Sequence, residues 1–330
     1  MSQHDYLRLW CEAMTHKNAA IKACEAGDYA TSAQQGSQSL ILESEWVCQQ
    51  ADISRQVLSF SLYGDEPIYC ETALINAQAM PKIYPKWKMW VYHDHSVPEH
   101  VLTRLRQHHV RLINVHDIGI AHWPGTFWRF HAVTDPQVAK VQFRDADSLI
   151  NQREAQWVQE WLDSKQPFHV FRDWYSHLDL ILAGMWGAHA PYLAHMSEWI
   201  EAHLQVRTEL HPTHADQIFL AEVIWPRIEP YCLVHDSTHS LPNGAPMHAP
   251  APQFEDYDLL GRRNEAKIAI SLKNQGSSVS YWVSIWDEQQ QLVMRYLRTL
   301  HNGRDTFRLP AEYYRKVESG LWRIQYKPVE

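Results

Sequence analysis

The spacing of apolar residues changes character twice along the chain, and each change predicts a different kind of structure. Over the first fifty residues the spacing is helical, with Tyr6, Leu9, Trp10, Ala13 and Met14 recurring at i, i+3 and i+4. A second helical stretch covers about 18–25. Gly27-Asp28-Tyr29 interrupts it, and Ala30, Ala33, Leu40 and Leu42 mark a third. At Val57 the period shortens. The runs 57–62, 89–92, 110–115, 168–171 and 231–234 read as short strands of the buried type. Helical segments separate them: 69–79, a stretch after Ser96 and Pro98, one opened by Asn151 and Glu154, then 199–204 and 216–224. Ser96 is expected to cap its helix with Pro98 in the first turn, and Asn151 and Glu154 have N-cap and N3 spacing. Strands alternating with helices predict βαβ units and an α/β fold with a mainly parallel sheet.

The second change falls near Leu241. Pro242, Asn243, Gly244, Pro246, Pro250 and Pro252 make 241–265 a linker or a surface strap. Beyond it, 268–272, 281–286, 292–297 and 321–326 read as strands with no helix between them. Such a run predicts a small antiparallel module, expected to be sandwich-like. The domain layout is therefore a helical segment over 1–52, an α/β domain over 53–240, the linker, and a β-rich module over 266–330.

Candidate chemistry centres on Val141-Gln142-Phe143-Arg144-Asp145-Ala146-Asp147-Ser148. An apolar strand ends in an arginine followed by carboxylates at i and i+2, which an extended backbone places on one side. Two hard oxygen donors aimed at one point suit Mg²⁺ or Mn²⁺, ions that usually hold phosphates. In a mainly parallel sheet, ligands bind outside the carboxyl ends of the strands. Tyr63-Gly64-Asp65, Asp94 and Asp145/Asp147 all fall at such ends, which strengthens the case for a shared site.

Composition narrows the partners. The 330 residues are 45% hydrophobic and 21% charged, ordinary for a globular protein, and the net charge of −8 argues against a broad nucleic-acid-binding surface. Fifteen tryptophans and 21 histidines are high counts, and aromatic faces line many carbohydrate and nucleotide sites. The five cysteines are scattered with no C-x-x-C pair, which suits reduced thiols and a cytoplasmic location. Neither a signal-peptide pattern nor an apolar run of bilayer-spanning length is expected.

Several blocks together resemble the GT-A type of nucleotide-sugar-dependent glycosyltransferases, in particular a bacterial group of that fold. They are Trp90-Val91-Tyr92-His93-Asp94-His95-Ser96-Val97-Pro98, Phe127-Trp128-Arg129-Phe130, Phe143-Arg144-Asp145-Ala146-Asp147-Ser148, Arg153-Glu154, Phe168-His169-Val170-Phe171-Arg172-Asp173, Gly184-Met185-Trp186-Gly187, Asp216-Gln217-Ile218-Phe219-Leu220 and Val234-His235-Asp236-Ser237. They run in order through about 57–237 and leave the N-terminal helices and β tail uncovered. The resemblance implies transfer of a sugar from a UDP- or GDP-sugar to a glycan, lipid-linked or protein acceptor. It implies Mn²⁺ or Mg²⁺ held by Asp145, Asp147 and His235, with Arg129 and Arg144 near the diphosphate or sugar. Tyr63, Gly64 and Asp94 would form the nucleotide wall. Arg172, His177, Asp179, Gly184 and Trp186 would hold the sugars, and Asp173 or Asp216 would serve as general base. Separately, Ala20…Cys24…Gly27-Asp28-Tyr29…Ala33 looks like half a tetratricopeptide repeat, which leaves the N-terminal helices either as a packed pair or as a site for a protein partner.

Two other readings compete. His211, His214, His235 and His239 with Asp216 and Asp236 have the residue types of a zinc hydrolase, although Pro212 interrupts the first pair. A non-catalytic carbohydrate-binding or scaffold protein is the third, against which the intact Asp145 and Asp147 argue.

Overall fold

The computed structural model describes residues 3–50, 55–207, 214–237, 259–271, 278–301 and 304–329. Helices α1 (Gln3–Glu25) and α2 (Tyr29–Gln50) form an antiparallel hairpin. Gly27, at φ +77°, makes the turn between them, and Asp28 accepts the backbone N–H of Thr31 at 3.1 Å to cap α2. Inside the hairpin the Ser39 hydroxyl donates to the Ala13 carbonyl (3.0 Å) and Lys17 pairs with Glu43 (2.9 Å). A bond from the Tyr192 hydroxyl to the Ile41 carbonyl, 2.8 Å, ties α2 to the next domain.

That domain alternates as the apolar pattern predicts. Its elements are β1 (Arg55–Leu62), α3 (Pro67–Ile83), β2 (Trp87–His93), α4 (Glu99–Gln107), β3 (Arg111–Asn114), a 3₁₀ segment Gly125–Thr134, β4 (Val138–Arg144), α5 (Gln152–Asp163) and β5 (Phe168–Arg172). Then follow β6 (Met185–His189), α6 (Met196–Val206), α7 (Ala215–Phe219), a π-helical turn Leu220–Ile224, α8 (Trp225–Ile228) and β7 (Cys232–Asp236). The seven strands lie in the order β3-β2-β1-β4-β6-β5-β7. Every neighbouring pair is parallel except those involving β6, which runs antiparallel to β4 and β5. This is the mainly parallel α/β sheet expected from the sequence.

The two glycines of Gly184-Met185-Trp186-Gly187 predict close backbone approach to a ligand or another element, and Met185 opens a strand inside the sheet. A β-carbon on Gly187 would meet the side chain of Gln142 and, at 2.7 Å, the carbonyl of Val141, so the missing side chain is what lets β6 lie against β4. Ser96 does not cap α4. Its hydroxyl donates to Asp94 Oδ1 (2.5 Å) and accepts the Gly64 N–H (2.6 Å), joining the loops after β1 and β2, while Pro98 takes the cap position. Asn151 does cap α5, accepting Glu154 N–H at 2.9 Å. The Glu154 carboxylate does not reach back to the cap; it points inward to Arg144 at 3.0 Å.

The C-terminal strands are β8 (Glu265–Ser271), β9 (Ser278–Trp286), β10 (Leu292–His301), β11 (Arg304–Pro310) and β12 (Arg323–Pro328), with α9 (Ala311–Glu318) before the last. They make one five-stranded antiparallel sheet, ordered β12-β9-β10-β11-β8, not a sandwich. The second layer is supplied by the α/β domain itself. Tyr281, Val283, Ile285, Met294 and Tyr296 join the same apolar cluster as Cys70, Ala73, Leu74 and Ala77 of α3. Fully buried Glu71 pins the junction, bonded to Arg104 (2.9 Å), the Tyr296 hydroxyl (2.8 Å) and the Tyr313 hydroxyl (3.3 Å). Residues 241–258 of the linker lie outside the described residues. In its remainder, 259–265, Leu260 packs inward, buried with Trp157, Phe171 and Met185.

Candidate active site

A cleft of about 520 Å³ opens where β1 and β4 end. Strand β4 stops at Arg144, so the backbone is not extended through both carboxylates. Instead it turns, with Ser148 N–H reaching the Asp145 carbonyl at 3.4 Å, and the turn presents Asp145 and Asp147 to the same cleft.

The opposite wall is built by two polar residues inside an otherwise apolar strand. Ser59 donates its hydroxyl to the Arg129 carbonyl (2.7 Å), and Ser61 accepts the Arg129 N–H (3.0 Å). These bonds hold the 3₁₀ segment so that the buried Arg129 guanidinium bridges Asp145 and Asp216, the latter at 2.6 Å. A third bond goes to the Arg144 carbonyl at 3.2 Å, and Arg129 Nε is buried without a partner. Asp216 also accepts the Gln217 N–H at 3.0 Å. Burial lifts the Asp216 carboxyl above its ordinary range, against the pull of Arg129, and the neighbouring charge of Asp145 adds to the rise.

Arg263 reaches the cleft from the segment leading into β8. Its Nε lies 2.8 Å from Asp147 Oδ2, its residue bridges Ser148, and the next N–H, of Asn264, donates to the Asp147 carbonyl at 2.7 Å. Burial, then the like charge of Asp145, pushes the Asp147 carboxyl up to about 6, although Arg263 opposes the shift. Tyr63, packed edge-on against Trp128 at 5.6 Å, supplies an aromatic face at the mouth.

The remaining residues expected at the site are dispersed. Arg144 is fully buried and spends its guanidinium on Glu154, on the Gly184 carbonyl (2.7 Å) and on Ser148 Oγ (3.3 Å), so it does not line the cleft. His235 lies on β7, stacked on Trp157 and bonded through its two ring nitrogens to His169 and Glu160, 2.8 Å each; it does not line the cleft either. Asp173 is buried under Arg153, 2.5 Å to each oxygen, and accepts the Leu260 N–H at 2.9 Å. Arg172 pairs with Asp236 at 2.8 Å, and His177 accepts the Asp173 N–H at 3.0 Å. Asp179 meets the cleft only through Gln217, 2.9 Å away. Trp186 is core, 4.4 Å from the ring of Phe143. Gly64, at φ +74°, and Asp94 make the strand-end link described above. Asp94 faces a neighbouring depression of about 550 Å³ with His93 and His95.

Gly184 does touch the site: a β-carbon there would collide with the Asp145 carboxylate and come within 2.8 Å of its backbone nitrogen. Gly184→Ala is expected to cost about 1–3 kcal/mol of stability through this overpacking. Urea unfolding of the two proteins measures it, and equal midpoints would show that the loop yields freely.

Among the described residues, no three His, Cys, Asp or Glu side chains gather where they could hold a metal ion together. Of the zinc-type histidines, His211 and His239 lie outside the described residues, and His214 and His235 do not share a pocket. Arg263 was not singled out from the sequence, because nothing local marks it. Ser59 and Ser61 carried a signal, as hydroxyls on a strand otherwise buried and apolar.

No protein-family model matches the chain, and no curated protein matches it by sequence. Among solved structures it is similar to the apo-form glycosyltransferase GlyE of Streptococcus pneumoniae TIGR4, at 14% identity and TM-score 0.37, over 53% of this chain and 44% of that one. It is similar to glucosyl-3-phosphoglycerate synthase of Mycobacterium tuberculosis, solved with phosphoglyceric acid, at 11% and 0.37, over 59% and 73%. A third is mannosyl-3-phosphoglycerate synthase of Rubrobacter xylanophilus, at 8% and 0.37, over 81% and 90%. The chain spans less than half the length of the pneumococcal enzyme. Overlap of this extent assigns no residue a role.

Proposed function

We propose that this chain is a metal-dependent glycosyltransferase of the GT-A type, taking a sugar from a UDP- or GDP-sugar to a glycan, lipid-linked or protein acceptor. The observation that supports it is the meeting of Asp145, Asp147, Arg129, Arg263 and Tyr63 in one cleft at the carboxyl ends of parallel strands. Breaking a glycosidic bond to a diphosphate leaves negative charge on the departing oxygen. A site for that step needs positive charge aimed at the phosphates, an aromatic face for the base, and a base near the acceptor hydroxyl.

The donor set fits a divalent ion in part. Asp145 and Asp147 are adjacent carboxylates whose mutual repulsion a cation relieves, and Mg²⁺ characteristically takes one or two carboxylates and fills its shell with water and phosphate oxygens. His235, engaged by His169 and Glu160, is not part of that set. When bound, the ion supplies positive charge to the leaving diphosphate. The chain's own guanidiniums act beside it. Arg129 and Arg263 now neutralise the carboxylates, and each faces the space where phosphate oxygens would sit. Tyr63 offers its ring to the base. Of the two proposed general bases, Asp216 is the one at the cleft, held in place by Arg129 and the Gln217 N–H.

A thermal-shift panel of UDP, GDP and their sugar conjugates with Mn²⁺ tests the proposal. One nucleotide at a hundred times its dissociation constant should add about 2.7 kcal/mol of stability. That shift should vanish on adding chelator. No nucleotide response, or a full response without metal, would sink the proposal.

A further inference from the structure

We propose that the solvent-facing side of the C-terminal sheet docks this protein onto an anionic phospholipid bilayer. The inference does not depend on the chemistry of the cleft.

In the registers of β12, β9 and β10, three cross-strand rows stand one above another: Arg323–Trp286–Leu292, Gln325–Ser284–Arg295 and Lys327–Trp282–Leu297. The residues between them on β9 and β10, Val283, Ile285, Met294 and Tyr296, are buried against the α/β domain. Alternation turns the rows of Arg295 and Leu297 away from the core, with Ser284 covered beneath them, and the register shift between Leu292 and Met294 brings Leu292 to the same side. Trp282 is 37% exposed, Leu292 45% and Leu297 46%. Leu321, 52% exposed, borders the same edge in a depression shared with Trp286 and Arg323.

None of the three strands contains an aspartate or glutamate, although the whole chain carries −8. The acidic residues on this side, Asp287 and Glu288, lie in the β9–β10 turn at the Trp286 end, while Arg295 and Lys327 lie away from it. Arg295 is held by aromatic and hydroxyl neighbours: its Nε donates to Ser284 Oγ at 3.1 Å, and its guanidinium lies 5.9 Å from the Trp282 ring. Tryptophan seeks the interfacial zone of a bilayer, aliphatic side chains seek the acyl boundary, and arginine and lysine reach the phosphates from apolar stems. A hydrated polyanion, whether polysaccharide or nucleic acid, satisfies the cations and the indole faces. It leaves the leucines against water. The exposed leucines are why the bilayer fits this face better.

Co-sedimentation of the full chain with vesicles tests this. Vesicles of phosphatidylcholine and phosphatidylglycerol in equal parts should bind it at least about tenfold better than phosphatidylcholine alone, and added salt should weaken the binding. Arg323→Glu/Lys327→Glu and, separately, Leu292→Ser/Leu297→Ser should each reduce binding by roughly tenfold, with the unfolding midpoint near that of the wild type. No preference for the anionic vesicles would overturn the proposal, as would a leucine variant that binds them like the wild type. Binding to heparin or DNA that the charge variant loses and the leucine variant keeps would assign the face to a polyanion instead.

Discussion

Asp147→Ala is expected to lower the proposed sugar transfer by on the order of a hundredfold to a thousandfold, the scale of losing one preorganised group that acts on transition-state charge. Asp147 is buried beside Asp145, and its carboxyl is pushed up to about 6 by desolvation and by that like charge. At neutral pH it is still ionised, so the pair presents concentrated negative charge that a divalent ion relieves. Protons and the cation compete for the same oxygens, so cation affinity should fall as pH drops through about 6, and the alanine variant should lose that inflection. The effect on folding has the opposite sign. The folded value lies above the ordinary carboxylate value, so the folded chain holds this proton more tightly than the unfolded one. The stability associated with the neutral group is therefore lost as pH rises from about 4 to about 6. At pH 7 without metal, alanine removes a charge that burial disfavours, and Arg263, more than half exposed, is readily solvated once unpaired. Turnover should collapse while the metal-free unfolding midpoint holds or rises. Initial rates with the donor identified by thermal shift, alongside urea unfolding across pH, measure both; a rate within threefold of wild type would remove Asp147 from the mechanism.

Glu154→Ala is expected to produce the largest loss of stability, about 3–5 kcal/mol, because it strands a buried guanidinium. Arg144 and Glu154 are both fully buried and lie 3.0 Å apart, and the Tyr84 hydroxyl donates to the other Glu154 oxygen at 2.9 Å. Arg144 also holds the Gly184 carbonyl, Ser148 Oγ and the Leu149 carbonyl, so it ties α5 to the turn that carries Asp145 and Asp147. Loosening it should lower nucleotide binding as well as the unfolding midpoint. Replacing both partners with apolar residues, Arg144→Met with Glu154→Leu, should recover most of the stability, since neither charge is then left uncompensated. Chemical denaturation of the three variants reads the cycle. A Glu154→Ala midpoint close to wild type would mean that water reaches Arg144.

How much of this was legible in the sequence depends on whether the signal was local. The helical period of the first fifty residues with its break at Gly27, the strands β1 to β5 and β7, and the cap at Asn151 rest on short-range periodicity and hydrogen bonding, although the two stretches expected before Gly27 are one helix. Strand β6 was not legible, because Met185-Trp186-Gly187-Ala188-His189 has little strand propensity and is extended only because β4 and β5 bond it from both sides. Strand β11 and helix α9 were missed as well, and the expected sandwich is one sheet because the α/β domain covers its inner face. The carboxylates at positions 145 and 147 stood out, though their convergence comes from a turn and not from an extended strand.

What the sequence determined by itself is the alternation of strands and helices, the change to an all-β tail, and the placing of two carboxylates at a strand end. Each follows from residues close together in the chain. Only the tertiary structure decided which charges meet those carboxylates. Arg129 arrives on a 3₁₀ segment clamped by Ser59 and Ser61, and Arg263 arrives from the far side of the linker, while Arg144 and His235 are drawn into buried networks. The physical reason is that a buried charge takes the partner that packing delivers, and that partner can lie anywhere along the chain.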